Sequence, residues 1–83
     1  MDREKVRSET VSIIADLAEI SEEEITEEAS LQKLGVDSLM ALQIVARMEK
    51  KYQVEIPEEE IGKIRTLRDI LELVNRLFLK QTP

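Results

Sequence analysis

Residues 35–44 read GVDSLMALQI. Gly35 supplies the backbone freedom for a tight approach, and Asp37 is a residue type that caps helices. Leu42, Val45, Met48 and Tyr52 follow as one apolar stripe, widened by Leu39 and Ile44. That spacing predicts a helix from Asp37 or Ser38 to about Tyr52. Ser38 then stands in its first turn, where a side chain is exposed. A phosphate ester on its oxygen would meet unpaired backbone N–H groups and the positive end of the helix dipole. The residues permit a phosphate-linked group at Ser38 without specifying which. An ordinary cap, replaceable by threonine or asparagine, is the other reading.

Working outward, three more helical segments emerge. Val6, Thr10, Ile13, Ile14 and Leu17 follow one helical face, so a first helix is expected from Asp2 to Ile20. A loop from Ser21 to Val36 comes next. In it SEEEI and TEEAS each resemble the start of a helical turn, with Ser21 and Thr26 as caps and glutamates at the favourable end. Ile20, Ile25, Leu31 and Leu34 are spread through this stretch and should pin it to the core. Pro57 opens a short third helix, Glu58 to Gly62, in the first helical position that proline favours. Thr66 caps a fourth helix, with Asp69 completing a capping box. Its inner face is Leu67, Ile70, Leu71, Val74, Leu77 and Phe78. No stretch alternates with period two. The expected fold is all-α: a small four-helix bundle of three longer helices and one short helix, with no sheet.

The 83 residues fit one domain, residues 1–83. The chain opens on Met1 and closes three residues after Lys80 with no flanking linker, which predicts a free-standing protein. No apolar run approaches the length of a membrane span and no charged-then-apolar leader precedes the first helix, which predicts a soluble cytoplasmic protein without membrane insertion. The net charge is −6 and is unevenly placed: residues 1–36 hold ten acids and four bases, residues 37–83 eight of each. Such a surface repels nucleic acid and steers toward basic proteins. With Tyr52 and Phe78 as the whole aromatic complement, there is no platform for stacking bases.

The chain has no cysteine and no histidine. That removes disulfides, thiolate metal sites and the commonest general base. A nucleophilic Ser38 would need an adjacent base. Asp37 is next to it in sequence, but consecutive helical residues do not face each other. Catalysis is therefore not expected. The acid runs SEEE, TEE and PEEE lack the alternating spacing of a calcium loop and read as solvated surface.

The stretch LGVDSLMALQI, Leu34 to Ile44, resembles the attachment motif of acyl carrier proteins, in which the serine of Asp-Ser-Leu is esterified by 4′-phosphopantetheine. The resemblance covers almost the whole chain. It includes YQVEIP from Tyr52 to Pro57 and EEEIGKIRTLRDILELV from Glu58 to Val74. It implies that Ser38 carries a covalent 4′-phosphopantetheine derived from coenzyme A, flanked by Asp37 and Leu39. It also implies that the chain, lacking cysteine, imports its thiol on that arm and holds acyl groups there as thioesters. The implied partners are a phosphopantetheinyl transferase and the acyl-loading, ketosynthase and other enzymes of fatty acid, specialised lipid or polyketide synthesis, met as a monomer. Family members often tuck the acyl chain between their helices, which makes Leu42, Val45, Ile64 and Leu71 candidate lining residues. At helical spacing these four are equally read as core.

The second helix departs from the housekeeping fatty-acid pattern, which presents acids there. From Asp37 to Tyr52 its acids are Asp37 and Glu49 and its bases Arg47, Lys50 and Lys51. Met40 and Gln43 stand where acids are frequent, and Lys33 precedes Gly35. SLMAL followed by Arg47 resembles polyketide synthase carriers, whereas the second half resembles the free-standing fatty-acid type. Met40, Gln43 and Arg47 are therefore candidate partner-recognition residues. Met40 is an adaptable apolar contact or a lone exposed hydrophobe. The alternatives are a peptidyl or D-alanyl carrier, or an acidic helical interaction module that is never modified.

Overall fold

The computed structural model describes residues 3–81, with side chains as far as Leu77. The side chain of Phe78, assigned above to the inner face of the last helix, and Asp2, assigned to the start of the first, lie outside them. Four α-helices run in order: α1 (Arg3–Ala18), α2 (Ser38–Tyr52), α3 (Glu58–Ile61) and α4 (Leu67–Gln81). Among the described residues there is no strand. Ser30 and Thr66 form an isolated antiparallel bridge.

α1 buries Val6, Thr10, Val11 and Ile14, with Ile13 and Leu17 half-buried beside them. Thr10 is buried without cost to its hydroxyl, which donates to the Val6 carbonyl at 2.7 Å. The helix ends two residues before the expected Ile20. Glu19 turns left-handed (φ 56°) and the Ile20 N–H returns to the Ala15 carbonyl at 3.1 Å.

The connecting loop is ordered by its own apolar residues. Ile25 and Leu31 are buried, and Ile20 and Leu34 pack against the same core. SEEE becomes a single 3-10 turn, Glu22–Glu24, with a full capping box between Ser21 and Glu24. TEEAS, expected to behave likewise, forms only a turn closed by Ala29 N–H to Thr26 carbonyl at 3.2 Å. The reason lies in competition for backbone groups within it and just after it. The Glu27 carbonyl accepts the Arg68 N–H and the Leu31 N–H donates to the Arg65 carbonyl, both at 3.0 Å. The loop is thereby laid on the start of α4.

α4 opens as read from sequence: Asp69 N–H donates to the Thr66 hydroxyl at 3.3 Å and Thr66 N–H to the Asp69 carboxylate at 3.1 Å. Pro57 stands one residue earlier than expected, as the cap of α3 in extended conformation, where its carbonyl accepts the Glu60 N–H. α3 closes at Ile61, with Gly62 as its cap.

The core has two parts. The larger joins α1, α2, α4 and the loop through Ile14, Ile44, Met48, Leu67, Ile70 and Val74. The smaller holds Val45, Val54, Ile56 and Leu73, with Ile61, Ile64 and Leu77 packed on it. It seats the segment between α2 and α3, where the Ile56 N–H donates to the Glu49 carboxylate at 2.8 Å.

Candidate functional site

Ser38 is the first residue of α2 and is exposed. Three features of the preceding residues place it there. Val36 is buried, and its N–H donates to the Leu31 carbonyl at 2.9 Å. Gly35 turns at φ 95°. The glycine is required for that dihedral and not, as the sequence suggested, for a close approach: a Cβ at position 35 would meet nothing within 4 Å. Asp37 then caps the helix, its carboxylate accepting the Met40 N–H at 2.8 Å, while its carbonyl accepts the Ala41 N–H. The N–H groups of Ser38 and Leu39 precede the first intrahelical bond and have no partner among the described residues. With its carboxylate oriented to Met40 N–H, Asp37 acts as a cap.

The apolar stripe expected along α2 is rotated. Ile44, Val45 and Met48 are buried, but Leu39 and Leu42 are 66% and 46% exposed. On a 3.6-residue helix the buried arc is centred near Met48 and Ala41. Leu39 lies opposite that arc and Leu42 at its margin, so α1 and α4 reach neither. Met40, one of the recognition candidates, is half-buried and packs against the main core, so it is not a free-standing surface contact. Gln43 and Arg47 are exposed.

The four candidate lining residues fall in different parts of the structure, with Ile64 between the two clusters. Val45 belongs to the smaller cluster, Leu71 to the larger, Ile64 packs on both, and Leu42 is on the surface. An open recess of about 200 Å³ lies between α3 and α4, lined by Ile64 and Leu73 together with Glu60, Lys63, Asp69, Glu72 and Arg76. Its rim is charged, and Glu60 accepts from Arg76 at 2.7 Å across it. Among the described residues no group of three metal-ligating side chains converges, and no helix is long and apolar enough to cross a membrane.

Two residues of this surface were not legible in the sequence. Asp16 and Glu9, both on α1, reach the flank of α2. Arg47 donates to Asp16 at 3.2 Å, and Lys51 meets Glu9 at 2.6 Å. Both contacts join residues more than thirty positions apart, so no local spacing rule announces them.

Residues 9–74 match the family described as the phosphopantetheine attachment site. The chain is 32% identical over 76 residues to an acyl carrier protein of Thermosynechococcus vestitus, covering 90% of this chain and 94% of that protein. It is 37% identical over 75 residues to polyketide-8 synthase acyl carrier protein 2 of Streptomyces avermitilis, covering 89% and 82% respectively. The crystal structure of an acyl carrier protein from Thermotoga maritima superposes with a TM-score of 0.85 at 29% identity, over 96% of this chain and 94% of that one.

Proposed function

Since the chain belongs to the phosphopantetheine-attachment family of acyl carrier proteins, we propose that Ser38 is the residue that carries its arm and that residues 1–83 act as a single carrier domain. The protein is a carrier and not a catalyst, and its cofactor is 4′-phosphopantetheine. The observation that carries the assignment is the placement of Ser38: exposed, at the start of a long helix, beside two unclaimed backbone N–H groups. Ser21 also opens a helical turn, but its hydroxyl is committed to a capping box and three glutamates follow it. A phosphodiester there would meet like charge. Ser8 and Ser12 lie within α1, on turns whose N–H groups are already bonded.

The residues around Ser38 fit the group. The hydroxyl is accessible to a transferase, the first-turn N–H groups favour an anion, and Asp37 keeps the helix start rigid through Met40. When bound, the arm supplies the thiol that this cysteine-free chain lacks. Asp37, Leu39 and the start of α2 hold Ser38 at the surface so that the arm reaches into partner enzymes.

The pathway we infer is a dedicated lipid or polyketide-like one, served by a discrete, monomeric carrier. Support comes from α2, which lacks the free carboxylates of a housekeeping carrier, and from likeness to both a general acyl carrier and a polyketide carrier. The test is an intact mass after incubation with coenzyme A and a broad-specificity phosphopantetheinyl transferase. Wild type and Ser21→Ala should each gain one phosphopantetheinyl group, and folded Ser38→Ala none. A gain retained in Ser38→Ala defeats the assignment.

A further inference from the structure

The docking role of the surface around Ser38 rests on the assignment of Ser38 as the attachment residue: an enzyme that draws its arm into a tunnel must cover the residues beside it. Leu39, Leu42, Gln43, Ala46 and Lys50 share the solvent side of α2 by helical spacing, and all five are exposed. Leu39 and Leu42 stand one turn apart beside the attachment residue.

Around this pair the carboxylates are turned to backbone donors and two of the three cations are paired by α1. The carboxylate of Glu49 is turned to the Ile56 N–H, and that of Asp37 to the Met40 N–H. Arg47 and Lys51 lie on the flank that faces α1, where Asp16 and Glu9 neutralise them. Lys50 is left as the unpaired cation of the exposed face, set against the carboxylates of Asp37 and Glu49, whose backbone N–H partners are neutral. By sequence α2 is basic; by fold its face is nearly neutral. The Asp16–Arg47 pair is itself exposed, the two side chains being 70% and 49% accessible. A partner seated on Leu39 and Leu42 extends over it.

We propose that Asp16 is a specificity determinant of this docking face. By holding Arg47 it makes the face apolar and close to neutral. That face fits a partner enzyme whose tunnel mouth is an apolar groove free of a strong cationic or anionic cluster. Charge complementarity sets on-rate and partner choice more than total affinity. A lysine- and arginine-rich mouth gains little here, because Asp16 is already paired with Arg47 and the charges of Asp37 and Glu49 are partly offset by Lys50.

The experiment titrates the phosphopantetheinylated chain against a ketosynthase whose tunnel mouth carries a lysine and arginine cluster, at low and at high sodium chloride. Three forms are compared: wild type, Asp16→Asn and Arg47→Gln. Removing Arg47 frees the Asp16 carboxylate, and removing Asp16 frees the Arg47 guanidinium. At low salt the affinities should rank Arg47→Gln above wild type above Asp16→Asn, with steps of about threefold. They should converge at high salt, where screening acts within about 3 Å at 1 M. Wild type itself should change less than about twofold between the two salts, because its face is compensated. Leu39→Ser with Leu42→Ser should weaken binding about tenfold at both salts, the loss of two apolar contacts at an interface centre. Equal affinities for the three forms at low salt, or a failure of all three to bind, overturn the proposal. So does a steep loss of wild-type affinity with salt. The intact mass separates the two readings. No added arm overturns the Ser38 assignment and this inference with it, whereas an added arm with three equal affinities overturns this inference alone.

Discussion

The phenol of Tyr52 donates to Glu9 at 3.0 Å, and the same carboxylate takes Lys51 at 2.6 Å, so one side chain of α1 holds the last turn of α2. Burial, then the hydrogen bond and charge of Glu9, push the Tyr52 phenol from 10.0 up to about 12. Glu9 is lowered in turn, chiefly by its hydrogen bond with Lys51. A phenol whose folded pKa is raised contributes stability that is complete below its unfolded value and lost as pH rises through the folded one. In thermal melts, Tyr52→Phe should be less stable than wild type at pH 8, and the gap should close between pH 10 and about 12. A gap that stays constant to the alkaline limit would show that burial and Glu9 do not hold the phenol up.

Glu27 gives the opposite dependence. Its carboxylate receives Arg3 at 2.9 Å, Arg7 at 3.2 Å and Arg68 at 3.7 Å, joining the loop to the starts of α1 and α4. The Arg3 hydrogen bond is the largest influence and outweighs burial, holding this carboxyl below its ordinary 4.5. A lowered carboxyl contributes stability that is present above the ordinary value and lost as pH falls through the folded one. Glu27→Gln should therefore melt below wild type at pH 7 and level with it once both are well below pH 4.5. Because the arginines are surface groups, added salt should shrink the pH 7 difference. Melts at two salt concentrations measure it.

Leu42 and Ile44 sit two residues apart and should respond to truncation in very different ways. Ile44 is 1% exposed and in the main core, so Ile44→Ala should cost about 2–5 kcal/mol. For a small domain that is a large share of the whole stability. Leu42 is 46% exposed, so Leu42→Ala should stay within about 0.5 kcal/mol while weakening partner binding. Urea midpoints for the two variants decide it. Comparable losses would place Leu42 in the core after all.

That contrast marks where the sequence was legible and where it was not. Helix existence followed from apolar spacing, and the caps at Asp37 and Thr66 followed from residue type, because both depend on neighbours within four positions. The rotation of α2 did not follow. Leu39 and Leu42 are as apolar as Ile44, and only the directions from which α1 and α4 approach decide which of them are covered. Ser38 and its cap were readable in GVDS, a local pattern. The neutralisation of Arg47 by Asp16 was not, since the two are brought together by helix packing alone. The fate of TEEAS was hidden for the same reason. Its Glu27 carbonyl is claimed by Arg68, and the N–H of the next residue after it, Leu31, by Arg65, both distant in sequence.

Backbone sign provides the last prediction, and it points in opposite directions at two positions. Gly35 and Gln53 both have positive φ, at 95° and 55°. At Gly35 an added Cβ meets nothing, so Gly35→Ala should suffer only from the dihedral, at about 1–2 kcal/mol. At Gln53 a side chain already bears that strain in order to close α2, where its N–H reaches the Glu49 carbonyl. Gln53→Gly relieves the strain but enlarges the freedom of the unfolded chain, leaving a net gain of about 0.5 kcal/mol. For a domain of this size that is a rise of about 2–4 °C in Tm, against a fall of about 4–16 °C for Gly35→Ala. Gln53 is exposed and far along the helix from Ser38, so its replacement should leave the rate of phosphopantetheine transfer unchanged. Gly35→Ala, below its melting temperature, should still be modified, but more slowly, because the turn it strains is the one that delivers Ser38 to the surface. Melts that move in the same direction for both variants would show that the left-handed backbone is not what these two positions have in common.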